Sequence, residues 1–151
     1  MSGVGDMFSH CDKEFIVHES FDDMELKRNL LRGIYAYGFD EPSKVQQRCI
    51  VPAINGRDII CQAQSGTGKT GTFSITTLQV IDEEVKEVQA VILANTRELA
   101  MQIYDVCVGL SEFMDVNVGT FIGKTPIRDD IDKIKSGVQV AIGTPGRIQD
   151  L

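Results

Sequence analysis

The sequence predicts an α/β fold: a parallel sheet with helices on both faces. Three observations lead there. Between residues 58 and 151, short apolar runs of strand length alternate with helix-length segments, the order expected of strands joined by crossover helices. The run at residues 88–94 is almost continuously apolar, as in strands covered on both faces. Several runs pass into the next helix through Gly or Thr, the residues that turn a chain and cap a helix.

The bulk properties suit one globular unit. The chain has 151 residues, 42% of them hydrophobic and 25% charged, a folding rather than a disordered composition. No apolar run approaches the roughly 18 residues of a membrane span. The first 18 residues lack a basic segment followed by an apolar core, so no secretory leader is expected. A net charge of -7 argues against a broad basic surface for nucleic acid, but not against a few placed arginines. Cys11, Cys49, Cys61 and Cys107 form no C-x-x-C pair, which gives no zinc or redox motif. Free thiols in a reducing compartment follow, cytoplasm or nucleus.

The elements read in order. Residues 1–20 are polar without a period and are expected to form a flexible arm. Leu26, Leu30, Ile34 and Tyr37 follow a helical period that Gly38 ends. Pro42 and Ser43 open a second helix with Val45, Cys49 and Ile50 on its apolar face, closed by Pro52 and Gly56. Residues 58–62 read as a first strand, 69–84 as helix and 88–94 as strand. Residues 98–113 read as helix, with Leu99, Ile103, Val106 and Leu110 on one side. Residues 116–122 are strand, 128–135 helix and 138–143 strand, and a last helix starts at Pro145.

Between the first predicted strand and its helix stands Ala63-Gln64-Ser65-Gly66-Thr67-Gly68-Lys69-Thr70. Gly66 and Gly68 let the backbone fold tightly and come close to a ligand. Successive N–H groups then make a concave anion site, and the helix starting at Lys69 adds its positive end. In such a loop Lys69 reaches the β- and γ-phosphates and the Thr70 hydroxyl ligates Mg²⁺, while Ser65 and Thr67 complete the cradle. A Gly-rich turn with a surface lysine is the plainer reading. Upstream, Ser43-Lys44-Val45-Gln46 fits a capping box, in which Gln46 folds back to Ser43. Downstream, the strands ending at Ala94 and Gly143 both run into Thr and a helix start: Thr96-Arg97-Glu98 and Thr144-Pro145-Gly146-Arg147. Ligands of open parallel sheets gather beyond the carboxyl ends of strands. Two capped helix starts there, with Arg97 and Arg147, suit successive phosphates. Ordinary capping with solvated arginines accounts for the same residues.

From Phe21 onward the chain resembles DEAD-box RNA helicases. The Ala-x-x-Gly-x-Gly-Lys-Thr loop is theirs in form, so Ala63 matches where the general pattern has glycine. Gly38-Phe39-Asp40-Glu41-Pro42-Ser43-Lys44-Val45-Gln46 is similar to the family's Q motif, and Phe21 stands where the family carries an isolated aromatic. Residues 96–100 and 144–147 resemble two RNA-contact motifs of the first RecA-like domain. Residues 30–39 are similar to the eukaryotic initiation-factor-four-A branch. The resemblance implies an incomplete RecA-like P-loop NTPase domain over residues 21–151, part of an ATP-dependent RNA helicase with ATP and Mg²⁺ as cofactors. It also implies adenine recognition by Gln46, Phe39 and Phe21, and backbone contacts to single-stranded or structured RNA. A role in translation initiation and a scaffold partner from that process are implied as well, with no membrane.

Two positions depart from the family pattern. Asn95 replaces the usual Pro, and Gly123-Lys124 replaces a Gly-Gly pair. The second departure either blocks close approach to RNA or lets Lys124 contact a phosphate. The Asp-Glu-Ala-Asp motif does not occur among the 151 residues. The expectation is therefore that the chain stops before it, and that alone it binds ATP without hydrolysing it. A stand-alone, non-catalytic nucleotide- or RNA-binding module is the alternative. An unrelated P-loop kinase or GTPase leaves Gln46 and residues 144–147 unexplained. In the family, strands beyond residue 147 flank the phosphate-loop strand, so residues 58–62 are expected to lack neighbours and the segment to be marginally stable.

Overall fold

A computed structural model describes residues 16–64 and 68–151. A 3-10 turn at Phe21–Met24 leads into helices α1 (Arg28–Tyr37), α2 (Lys44–Ile54) and α3 (Lys69–Val80). Then come strand β1 (Ala90–Leu93), helix α4 (Arg97–Leu110), strand β2 (Val118–Phe121), helix α5 (Ile127–Lys135), strand β3 (Val140–Gly143) and helix α6 (Pro145–Asp150). The three strands are parallel in the order β1-β3-β2. Leu93 pairs with Gly143, and Gly143 with Phe121, so the strands end level with one another.

Side chains alternate across this sheet. Val140 and Ile142 face a core that includes Leu30, Ile34, Ile75, Leu78, Ile103, Cys107 and Leu110, drawn from α1, α3 and α4. Ala141 and Phe121 face the other way, against Ile134 of α5 and Ile148 of α6. Helices thus lie on both faces, as expected. The second layer stops short of β1, where Val91 is 52% and Leu93 56% exposed. The expectation that both faces of this strand are covered is corrected: α5 and α6 pack beside β2 and β3.

Residues 58–62 form no strand. A strand needs a ladder, and no described strand pairs with this segment. It keeps a strand-like alternation nonetheless: Ile59, Cys61 and Ala63 are half-buried, while Ile60 is 98% exposed. Other expectations are corrected in detail. Helix α3 ends at Val80, and the Lys27 ammonium donates to the carbonyls of Leu78 (3.3 Å) and Ile81 (2.5 Å), a cation at a helix C-terminus. Helix α2 runs through Pro52 to Ile54, because Asn55 N–H still reaches Val51 O and Arg57 N–H reaches Pro52 O. In α4 the buried stripe is Ala100, Ile103, Cys107 and Leu110, and Leu99 is exposed. The strands start two residues later than their apolar runs, and β1 and β2 also end one residue earlier.

Gly38 ends α1 with φ 106°, the left-handed turn that favours glycine. Gln139, fully buried, accepts from Asn117 N–H (2.9 Å) and donates to the carbonyls of Glu83 (3.0 Å) and Val85 (2.9 Å). It thereby ties the start of β2 and the turn before β1 to β3. Most of the predicted arm, residues 1–15, lies outside the described residues. Within the rest of it, His18 N–H donates to Gln47 O (3.1 Å).

Candidate nucleotide and nucleic-acid sites

The first cluster joins the start of α2 to the start of α3. Ser43 and Gln46 form the capping box: Ser43 N–H donates to Gln46 Oε1 (2.9 Å) and Gln46 N–H to Ser43 Oγ (3.4 Å). The same glutamine reaches out of its helix, donating from Nε2 to Gly68 O at 3.3 Å. Capping and contact with the loop before α3 are therefore one arrangement. Gln46 is 4% exposed, its amide held in a fixed orientation. One Nε2 proton and one Oε1 lone pair remain unassigned by these bonds.

Glycine makes the close approach. Gly68 has φ 99°, and a Cβ there would stand 2.4 Å from Ser43 Oγ and 2.8 Å from Gln46 Nε2. At Gly71 a Cβ would stand 2.6 Å from Gln46 Nε2 and 3.3 Å from the Phe39 ring. Phe39 is half-buried and also meets Tyr37 edge-on at 5.2 Å. The structure thus brings together Phe39, Ser43, Gln46, Gly68 and Gly71. Lys69 and Thr70 occupy the first two positions of α3, both half-buried, where the free N–H groups of a helix start point. Ser65, Gly66 and Thr67 lie outside the described residues.

Phe21 is not part of this cluster. It is fully buried, edge-on to Tyr35 at 6.2 Å, so the expectation of direct ligand contact is corrected. An isolated aromatic beside α1 is taken into the core, where burying it stabilises most.

The second cluster lies along the carboxyl edge of the sheet. Thr96-Arg97 follows β1, Gly123-Lys124 follows β2 and residues 144–147 follow β3, and the strands end level. All three motifs therefore open on one edge. Thr96 caps α4, its Oγ1 accepting from Leu99 N–H at 3.1 Å. Thr144 occupies the corresponding place on α6 without a side-chain cap bond, which corrects the expectation of a matching pair. Gly146 has nothing within 4 Å of where a Cβ would be, leaving its backbone open to approach. Gly123 and Lys124 both have positive φ, 80° and 64°. Lys124 thus holds a left-handed conformation suited to glycine, and its side chain is exposed.

Arg147 is not a free cation. It bonds Asp130 Oδ2 at 3.1 Å and Thr125 O at 2.8 Å. Asp130, 2% exposed, also meets Lys133 at 3.5 Å. Lys133 in turn donates to Thr120 O at 2.7 Å and lies 4.9 Å from the Phe121 ring centre. A buried carboxylate is stabilised by such partners, and here it fixes the direction of the arginine. Guanidinium N–H groups remain for a second anion.

Sequence reasoning missed Gly71 and Asp130. A glycine within the first turn of an otherwise good helix is a visible signal. Asp130 carried none, because acidic residues in a first helical turn are common.

The DEAD/DEAH box helicase family profile matches residues 43–151. The ATP-dependent RNA helicase eIF4A of Phaeosphaeria nodorum is 59% identical over 133 residues, which are 88% of this chain and 34% of that protein. That of Pyricularia oryzae is 58% identical over the same shares. Among solved structures, Saccharomyces cerevisiae Dbp5 bound to RNA and ADP BeF3 matches with a TM-score of 0.79 at 37% identity, covering 89% of this chain and 34% of that one. A DEAD box protein of Methanococcus jannaschii matches at 0.84 and 32% identity, covering 89% and 37%.

The fold is RecA-like. The chain belongs to the DEAD/DEAH box helicase family. It spans about a third of the length of the curated relatives it matches.

Proposed function

We propose that this chain is the ATP-binding and RNA-backbone-binding part of an ATP-dependent RNA helicase acting in translation initiation. The observation that carries the nucleotide half is the bond from Gln46 Nε2 to Gly68 O, which joins a base-reading side chain to a phosphate-binding loop. Adenine offers an N6 donor and an N7 acceptor along one edge, and the amide of a glutamine complements both. Guanine offers two acceptors there, so Oε1 would face oxygen. Phe39 would lie against the ring.

The chain fits the triphosphate. Gly68 and Gly71 let Gln46 come close to the loop and the start of α3, since a Cβ at either would stand within 2.8 Å of Gln46 Nε2. The N-terminus of α3 presents its N–H groups, Lys69 would neutralise phosphate charge, and Thr70 would help hold Mg²⁺. Bound ATP·Mg supplies the phosphoryl group. The residues here bind and orient it, and among the 151 there is no Asp-Glu-Ala-Asp sequence to complete the hydrolytic machinery. By itself this chain is a binding unit.

Along the carboxyl edge, Thr96, Arg97, Gly123, Lys124, Thr144, Gly146 and Arg147 would follow an RNA backbone. Contacts of this kind position a strand without reading bases. The relatives' naming as eIF4A supports the translation reading, a scaffold partner from that process and a cytoplasmic setting, with the nucleus as the other reducing compartment. No described helix is long and apolar enough to cross a membrane.

Calorimetry tests the proposal. ATP·Mg should bind the chain, Lys69→Ala should abolish binding, and neither protein should release phosphate with or without single-stranded RNA. RNA-stimulated phosphate release that Lys69→Ala removes would overturn the reading of a binding unit. Equal ATP affinity in the two proteins would overturn the site.

A further inference from the structure

We propose that Cys49 and Cys61 form an oxidisable dithiol whose disulfide ties the segment entering the phosphate loop to α2. The two Sγ atoms are 3.8 Å apart. A disulfide needs about 2.05 Å, so one side must move by about 1.8 Å. Residues 58–63 can make that movement, because no ladder bond to a described strand restrains them. Both thiols are half-buried, unlike the buried Cys107, and all three are free. Cys61 lies on the inward side of its segment together with Ile59 and Ala63, so it faces α2 already.

The two sulfurs take different roles in the proposed reaction. Burial, and then the neighbouring Cys61, push the Cys49 thiol up to about 11, opposed by Arg48. Cys49 is therefore the poorer first nucleophile. A hydroperoxide is the oxidant. The Cys61 thiolate attacks the peroxide, an S–O bond forms, the O–O bond breaks and an alcohol (or water) leaves. Cys49 Sγ then attacks the Cys61 sulfur, the S–S bond forms, and the S–O bond breaks. Water leaves with the Cys49 proton. Two thiols are oxidised and one hydroperoxide is reduced to alcohol and water.

The consequence follows from where α2 already holds the loop. Gln46 anchors its far end at Gly68. A disulfide would anchor Cys61, at its near end, to the same helix. A loop held at both ends adapts less to a ligand. We infer reversible weakening of nucleotide binding, a conclusion that rests on reading this loop as the phosphate site.

The experiment treats the full chain with hydrogen peroxide, blocks remaining thiols and maps linked peptides by mass spectrometry. ATP affinity is measured before oxidation, after it, and after dithiothreitol. A Cys49–Cys61 linked peptide should dominate in the folded chain and in Cys11→Ser and Cys107→Ser variants. It should vanish in Cys49→Ser, in Cys61→Ser and in unfolding denaturant. ATP affinity should fall about five- to tenfold on oxidation and return with dithiothreitol. Separate sulfinic acids at the two positions, or a dominant link through another cysteine, would overturn the dithiol. A Cys49–Cys61 link with unchanged ATP affinity would overturn the weakening of nucleotide binding. If the reduced chain binds no ATP, the nucleotide reading fails, while the linked peptide still decides the dithiol.

Discussion

At the carboxyl edge of the sheet, Leu93, Gly143 and Phe121 stand side by side in a hydrogen-bonded register. At the nucleotide cluster, by contrast, no ladder joins residues 58–64 to a described strand. Its geometry rests on one glutamine, which caps its own helix and bonds Gly68, and on two glycines that let it approach. The edge is therefore positioned by backbone, and the cluster by side chains. Damage at the edge should cost stability, and damage at the cluster should cost ligand.

The largest effect tests the rigid side. A Cβ at Gly143 would stand 2.3 Å from Phe121 O and 2.9 Å from Ile148. Backbone in a ladder cannot yield cheaply, so Gly143→Ala should lower stability by about 3 kcal/mol in denaturant titration. Gly146→Ala, with open space around it, is the control and should change stability by less than about 1 kcal/mol. Similar costs for both would mean that the ladder does not set the edge.

Asp130→Asn comes next. It removes the carboxylate that pairs with Arg147 and Lys133 and leaves two cations sharing a neutral amide. Because both cations keep some access to water, the expected loss is about 2 kcal/mol. RNA binding should lose its arginine contact at the same time, read as a shallower salt dependence. Unchanged stability and salt slope would show that Arg147 needs no such anchor.

On the soft side, Gly71→Ala should change stability by no more than about 1 kcal/mol, since alanine favours a helix while the displaced Gln46 amide loses contact. Its effect should fall on ATP affinity. The smallest effect concerns Lys124. Relief of its left-handed backbone is worth about 1 kcal/mol, and the freedom glycine gains on unfolding offsets about half. Lys124→Gly should therefore raise stability by about 0.5 kcal/mol, visible as a small shift of the denaturant midpoint.

The same division explains what the sequence revealed. The cores of β1, β2 and β3 were legible, because apolar runs between glycine and threonine turns mark strands whose partners are present. Residues 58–62 carry the same apolar signal, and Ile60 ends fully in water because a ladder is a tertiary property that composition does not encode. The capping box at Ser43 and Gln46 was readable from spacing. Its bond to Gly68, twenty-two residues on, was not. Asp130 and Thr144 show both limits: one ordinary helical aspartate is buried as an anchor, and one well-placed threonine makes no cap bond.

The central claim is that α2 and the phosphate loop form one adenosine-phosphate site through Gln46. Paired titrations of ATP·Mg and GTP·Mg against wild type and Gln46→Ala test it most directly. Ser43 keeps capping α2 in the variant, so the helix should persist by circular dichroism. The account predicts a loss of about tenfold for ATP, near 1.4 kcal/mol, and less than about twofold for GTP. An equal loss for both nucleotides would contradict it, reducing Gln46 to a helix cap that touches the loop without reading the base.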